Sequence, residues 1–109
     1  YPKWRGSQTF TITNKSKSTV TYNINLKNVI NTFNSDDFKY TLFKDNVVLV
    51  KQTPAPRKDG SIYQNLVLAA GESATFELRF EFVETGKPQD ADIGVRYSSK
   101  VEISIVSVN

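Results

Sequence analysis

The sequence predicts an all-β fold: an antiparallel two-sheet sandwich of about seven strands, immunoglobulin-like or jelly-roll. Two observations predict it. Val, Ile and Thr account for 28 of the 109 residues, whereas Ala and Leu account for 11, and β-branched side chains fit a pleated strand better than a helix. Apolar and polar residues also alternate along most of the chain, which is the period of strands that have one buried and one solvated face.

The alternation is clearest in two segments. In residues 19–27 the apolar side chains fall at the even positions, and in residues 76–82 Phe and Leu alternate with Glu and Arg. A short helical turn is expected only in residues 28–35. Strands are predicted at residues 8–14, 19–29, 38–43, 47–51, 61–68, 73–83 and 100–108.

The predicted strands are separated by residues that are typical of turns. Asp45 and Asn46 predict a two-residue hairpin between the third and fourth strands, and Gly71 predicts a tight turn between the fifth and sixth. Two prolines indicate a loop within residues 51–60. The longest predicted loop covers residues 84–99, and loops of this length are often functional.

The inward positions of these strands would form one core, as expected of a single domain covering residues 1–109. Residues 1–7 are expected to form an extended N-terminal arm, and the start at Tyr1 is expected of a processed or excised chain. Burying each core side chain contributes about 1.5–3 kcal/mol before conformational entropy opposes it. The predicted core comprises Phe10, Ile12, Val20, Tyr22, Ile24, Leu26, Tyr40, Leu42, Leu66, Leu68, Phe76, Leu78, Phe80, Val101, Ile103 and Ile105.

The composition argues against several kinds of chemistry. The chain has no Cys and no His, so it has no disulfides, no thiol nucleophile and no imidazole base or metal ligand. We predict no enzyme, no catalytic residues and no cofactor. The net charge is +3, but the basic residues are scattered rather than gathered in a stripe, so nucleic acid is not an expected partner. No apolar run reaches the roughly 18 residues of a membrane helix.

Small clusters of polar residues are better explained by ordinary structural roles. Glu77, Arg79 and Glu81 have the spacing of a carboxylate pair for glycoside chemistry, but three alternating charges also describe a solvated strand face, which is the favoured interpretation. Ser98-Ser99-Lys100 resembles a Ser/Lys pair without the surroundings that catalysis needs.

Two further clusters suggest a cation site and a modification site. Asp36-Asp37, and Asp90 with Asp92, could bind Ca²⁺ through carboxylates, but neither pair completes a calcium-loop pattern. No metal site is therefore predicted. Residues 14–16 (NKS) fit a glycosylation sequon, which is a weak signal on its own.

Four segments resemble known surface-protein domains. Residues 10–14 (FTITN) and 22–26 (YNINL) resemble the paired early strands of immunoglobulin-like sandwich domains in Gram-positive surface proteins. Residues 68–78 (LAAGESATFEL) resemble the L-x-x-G-E-x-x-x-F-x-L hairpin of such domains. Residues 92–103 (DIGVRYSSKVEI) are similar to the closing loop and strand of secreted proteins of the TasA/camelysin type. The resemblance implies an exported sandwich in a surface or matrix fibre, whose subunits exchange a strand.

The apolar N-terminus suggests how such contacts could form. Residues 1–13 either begin their own sandwich, with Trp4 packed over one edge, or complete the sheet of a neighbouring copy by strand addition. The expected function is a structural subunit or accessory domain of an extracellular or cell-surface assembly that binds proteins, including its own copies. The alternatives are a loop-presenting binding module for a glycan or protein, and an accessory sandwich of a virion or injection machine. The predicted interaction residues are Tyr1, Trp4, Phe10, Ile12, Tyr63 and Tyr97.

Overall fold

The fold is all-β, as predicted. The computed structural model describes residues 5–83 and 96–109, and these form seven strands in two antiparallel sheets without a helix. The strands are β1 (Arg5–Thr13), β2 (Val20–Asn31), β3 (Phe38–Lys44), β4 (Val47–Pro54), β5 (Gly60–Leu68), β6 (Ser73–Phe82) and β7 (Tyr97–Val108).

The strand order places the first and last strands at the same kind of position, the edge of a sheet. One sheet has the order β1-β6-β3-β4 and the other has the order β5-β2-β7. In immunoglobulin constant domains the first strand shares a sheet with the second, and the last shares a sheet with the sixth. Here β1 pairs with β6 and β7 pairs with β2. The two terminal strands have therefore exchanged sheets relative to that arrangement.

The predicted hairpin between β3 and β4 is confirmed. Asp45 and Asn46 have φ values of 49° and 67°, and positive φ at both central residues is the mark of a type I′ turn. The turn also contacts β6. The amide of Asp45 donates to the carbonyl of Thr75 at 2.7 Å, and the amide of Thr75 donates to Oδ1 of Asp45 at 3.0 Å.

The predicted tight turn between β5 and β6 is also present, and it carries the chain from one sheet to the other. The amide of Glu72 donates to the carbonyl of Ala69 at 3.0 Å. Gly71 has a φ of 77°, a value that favours glycine at the third position of a turn. The amide of Gly71 donates to the carbonyl of Asn14, which follows β1, at 2.8 Å.

The main core lies between the two sheets and is centred on Phe76. This side chain is fully buried, stacks on Phe10 with ring centroids 5.4 Å apart, and meets Tyr22 of the opposite sheet edge-on at 6.5 Å. The contact across the sheets shows that the two layers share one core. The other predicted core residues that are buried are Ile24, Leu26, Tyr40, Leu42, Leu66, Leu68 and Leu78.

A second, aromatic cluster lies at one end of the sandwich and was not predicted. Phe33 and Phe38 stack with ring centroids 4.5 Å apart, and Ala55 completes their buried group. Phe80, Phe82 and Tyr97 pack against this group.

Several details of the prediction were wrong. β4 extends to Pro54 and β7 begins at Tyr97, inside segments predicted as loops. Residues 28–35 do not contain the expected helical turn, because Asn28 has a φ of 54° and lies in a bulge through which β2 continues to Asn31, and residues 32–35 are irregular. Residues 5–7 are not an arm, since they pair with β6 as the start of β1. Ile105 is not a core residue, because 59% of its surface is exposed.

Candidate interaction surface

The sandwich is open along one side, where the edge strands β1 and β7 border a cavity. The cavity has a volume of about 260 Å³, and its lining includes Ile12 of β1 and Ile103 and Ile105 of β7. We call β1, β7 and this cavity the open side. It arises because each of the two strands is the last of its sheet, so neither is followed by a further strand that would close the gap.

Apolar side chains of β7 are exposed at this side although they line the cavity. Ile105 is 59% exposed and Val108 is 60% exposed. Val106, in the bulge where β7 meets the start of β2, is 51% exposed. Neighbouring exposed apolar side chains of this kind mark contact surfaces more often than scattered single ones do.

The four edge strands are protected to different degrees. β4 contains Lys51, ends in Pro54 and has two register shifts against β3, while β5 has two register shifts and a left-handed residue, Asn65. Proline, lysine and bulges discourage pairing with another strand. β1 pairs with β6 over nine residues without a shift. β7 has twelve residues and no proline, but it contains Lys100, and its pairing with β2 has two register shifts.

Two of the predicted interaction residues lie on β1 at the open side. Phe10 and Ile12 are half-buried on the inner face of β1, and Ile12 lines the cavity. Residues 5–13 pair with β6 of their own chain and so begin their own sandwich. Tyr1 and Trp4 lie outside the described residues.

Of the other two predicted residues, Tyr63 is not brought to this side, whereas Tyr97 is the first residue of β7. Tyr63 lies in β5, at the opposite edge of its sheet, and packs on the main core. Tyr97 packs inside the aromatic cluster, with ring centroids 4.9 Å from Phe80 and 5.4 Å from Phe38. Burial raises the pKa of the Tyr97 phenol.

The outer face of β7 has an unusual charge arrangement. Lys100 stands directly opposite Lys27 of β2, and Glu102 stands opposite Asn25. Like charges directly opposite each other on neighbouring strands are destabilising. Among residues 5–83 and 96–109, neither Lys100 nor Glu102 takes part in a salt bridge.

Lys27 has a compensating charge on its other side. The pKa of Asp59 is lowered, first by the hydrogen bonds that its carboxylate accepts from the amides of Val29 and Asn28, and then by the charge of Lys27. Lys100 lies at the free edge of the sheet, and its positive charge is therefore less compensated than that of Lys27.

The charges on β6 form a solvated face, as favoured from the sequence. Arg79 donates through Nε to Glu77 at 3.1 Å, and its guanidinium lies 4.5 Å from the ring centre of Phe43. Glu81 accepts a hydrogen bond from Gln52 at 2.9 Å. Each carboxylate thus has its own partner on an open strand face rather than a place in a cleft.

The segment around Asp36 is held by a side-chain cation. Arg57 lies 3.5 Å from the Asp36 carboxylate and donates to the carbonyls of Phe33 at 2.7 Å and Ser35 at 2.9 Å. The described residues hold no group of three or more acidic side chains that could bind a metal ion. Asp90 and Asp92 lie outside them.

The sequon asparagine has a structural role. Asn14 is 6% exposed, and its Nδ2 donates to the carbonyls of Ser18 and Leu68. Its Oδ1 accepts from the amide and hydroxyl of Ser16. A side-chain amide committed in this way is inaccessible to a glycosyl group.

The open side could be foreseen only in part. The apolar residues of β1 were selected from the sequence, but Ile105, Val106 and Val108 were not. One signal was available, because the alternation of β7 breaks at Ile105-Val106 and thereby marks the bulge. The sequence does not show that β7 is an edge strand, since this depends on the strand order.

Within the described part of the chain, no helix has the length and apolar character needed to cross a membrane. In comparisons with known proteins, no family, no curated protein and no solved structure matches the chain.

Proposed function

We propose that this protein is a structural subunit of an extracellular or cell-surface assembly, and that it acts through contacts between its own copies at the open side. The observation that carries the proposal is the apolar cavity that the edge strands β1 and β7 border together, with Ile105 and Val108 exposed in its lining. β1, which pairs with β6 without a register shift, and the twelve-residue β7 border this cavity, whereas β4, which ends in Pro54, and β5 lie at the opposite edges.

A contact at this side would pair free backbone groups and would also cover exposed apolar side chains. An added strand would pair with the free backbone groups of an edge strand, which gives affinity without a cofactor. The same contact would cover Ile105 and Val108, whose exposure is otherwise costly in water. The extracellular setting is supported by the resemblance of residues 10–14, 22–26 and 68–78 to exported sandwich domains.

The exposed side chains allow a matched test. Ile105→Lys places a charge at the open side, and Val67→Lys places the same charge on the outer face of β5, where Val67 is 57% exposed. Sedimentation velocity over a range of concentrations should show reversible association of the wild type and of Val67→Lys, and monomers for Ile105→Lys. Electron microscopy of the associated samples would reveal larger assemblies.

Both residues are more than half exposed, so neither change should unfold the protein, and thermal melting checks this. The proposal is contradicted if the wild type is monomeric at every concentration. It is also contradicted if the two variants associate equally well.

A further inference from the structure

We infer that two copies of this chain pair their β7 strands antiparallel about a two-fold axis through Val101, which joins their three-stranded sheets into one of six strands. The inference rests on the proposed function, because it specifies the partner and the register at the open side. Two independent features of β7, its regular length and its charge pattern, select this register.

The symmetry limits the registers that are available. Directly opposed residues of an antiparallel pair have their side chains on the same face of the sheet. When both strands are copies of one sequence, a two-fold axis perpendicular to the sheet must therefore pass beside a residue that faces its own copy. Each register is thus defined by the residue on the axis.

The first selecting feature is the length of regular strand. The bulge at Val106 interrupts the pairing of β7 with β2, because Tyr22 faces Ile105 while Thr21 faces Ser107. The part of β7 before this bulge runs from Tyr97 to Ile105, and its midpoint is Val101. An axis at Val101 pairs all nine of these residues, and a ladder of that length contains about eight to ten backbone hydrogen bonds.

The second selecting feature is charge. An axis at Lys100 or at Glu102 would place like charges directly opposite each other. An axis at Val101 instead places each Lys100 opposite Glu102 of the other copy, twice across the symmetric contact. Opposite charges at directly opposed positions stabilise a strand pair. The pairing also gives Lys100 a counter-charge on the side away from Lys27.

The same register covers apolar surface on the inner face. Tyr97 of one copy comes to lie opposite Ile105 of the other, and the two Val101 side chains face each other on the axis. Ile105, which is 59% exposed in the single chain, would then have an aromatic neighbour. One register therefore pairs the free backbone groups, places opposite charges next to each other and covers the exposed Ile105.

Charge exchange tests the register. Lys100→Glu and Glu102→Lys each replace both attractive pairs by repulsive ones, and each should raise the dissociation constant of the dimer at least about tenfold. The double variant restores opposite charges with the positions reversed, so its dissociation constant should return to near the wild-type value. Analytical ultracentrifugation at low salt measures all four proteins.

Two controls separate this effect from changes in fold or net charge. Lys51→Glu makes the same change in charge on the edge strand β4 and should leave the dissociation constant unchanged. Lys100→Glu removes the opposition to Lys27, so its melting temperature should not fall below that of the wild type at a concentration at which both proteins are monomers.

The possible failures are distinguishable. If Ile105→Lys abolishes association while the charge variants behave like Lys51→Glu, the copies meet at the open side in another register, and only the inference fails. A double variant as weak as the single variants also overturns it. A wild type that does not associate overturns the proposed function together with the inference.

Discussion

The side-chain amide of Asn14 donates to the carbonyl of Leu68 at 2.9 Å, across 54 positions of the sequence. This bond ties the end of β1, in one sheet, to the end of β5, in the other. A second bond from the same nitrogen reaches the carbonyl of Ser18 at 2.7 Å. The buried amide therefore holds the corner where the chain passes twice between the layers.

Asn14→Ala should lower the free energy of unfolding by about 2–3 kcal/mol, because it removes the donor to the buried carbonyl of Leu68 and the acceptor of the Ser16 amide. Urea denaturation measures the change. Ser16→Ala keeps the buried amide and removes the hydroxyl of Ser16, whose bonds to Asn14 and Ser18 lie at part-buried or exposed positions, so it should cost about 1 kcal/mol or less. Equal costs for the two variants would show that the buried amide does not hold the corner.

Asn46 should respond to substitution according to its backbone angle. Its φ of 67° favours glycine and disfavours residues with a β-carbon that lack the local hydrogen bonds of Asn. Asn46→Gly should leave the free energy of unfolding equal or raise it by up to about 1 kcal/mol, and Asn46→Ala should lower it by about 1 kcal/mol. Denaturation curves that rank the two variants in the opposite order would disprove the type I′ turn.

Phe76 should be among the most sensitive positions of the core. The side chain is fully buried and contacts aromatic rings of both sheets, so Phe76→Ala should cost about 3–5 kcal/mol. Val47→Ala, at a residue that is 67% exposed, should change stability by no more than about 0.5 kcal/mol. Comparable losses for both variants in denaturant titrations would be inconsistent with a core centred on Phe76.

Tyr22 should make the protein sensitive to alkali. Burial, and then the charge of Asp45, raises the pKa of its phenol above 10.0, so the folded state favours the neutral form. This contribution to stability is fully present below pH 10 and is lost as the pH rises through the raised pKa. The hydroxyl has no hydrogen-bond partner among the described residues.

Tyr22→Phe keeps the ring and removes the ionisation. We expect it to be at least as stable as the wild type at neutral pH, and to lose less stability than the wild type above pH 10. Unfolding free energies at the two pH values check this. Parallel losses in both proteins would mean that other groups cause the alkaline sensitivity.

The fold class and the turns followed from local rules that the sequence carries. Alternation located β1, β2, β6 and β7, composition and turn residues bounded the other three strands, and Asp45-Asn46 and Gly71 marked turns whose positive φ values are observed. The aromatic cluster was missed because Phe33 lies in an irregular segment, where no period shows which side chains are buried. Ala55 was missed for the same reason.

The open side depends on long-range pairing, which local patterns do not encode. The inner positions of β7 alternate as those of β2 do, yet Ile24 is buried and Ile105 is exposed. The difference comes from strand order, since β2 has a neighbour on both sides and β7 has only one. The local sequence of β7 therefore could not show whether its apolar residues would be buried in the core or exposed at a contact surface.

The most direct test of association at the open side is amide hydrogen exchange measured at low and high protein concentration. Every second amide between Tyr97 and Ile105 points away from β2, and these amides should exchange more slowly as concentration rises, while those of β4 should not change. Slowing confined to β4 or β5, or exchange in β7 that is independent of concentration, would contradict the proposed contact.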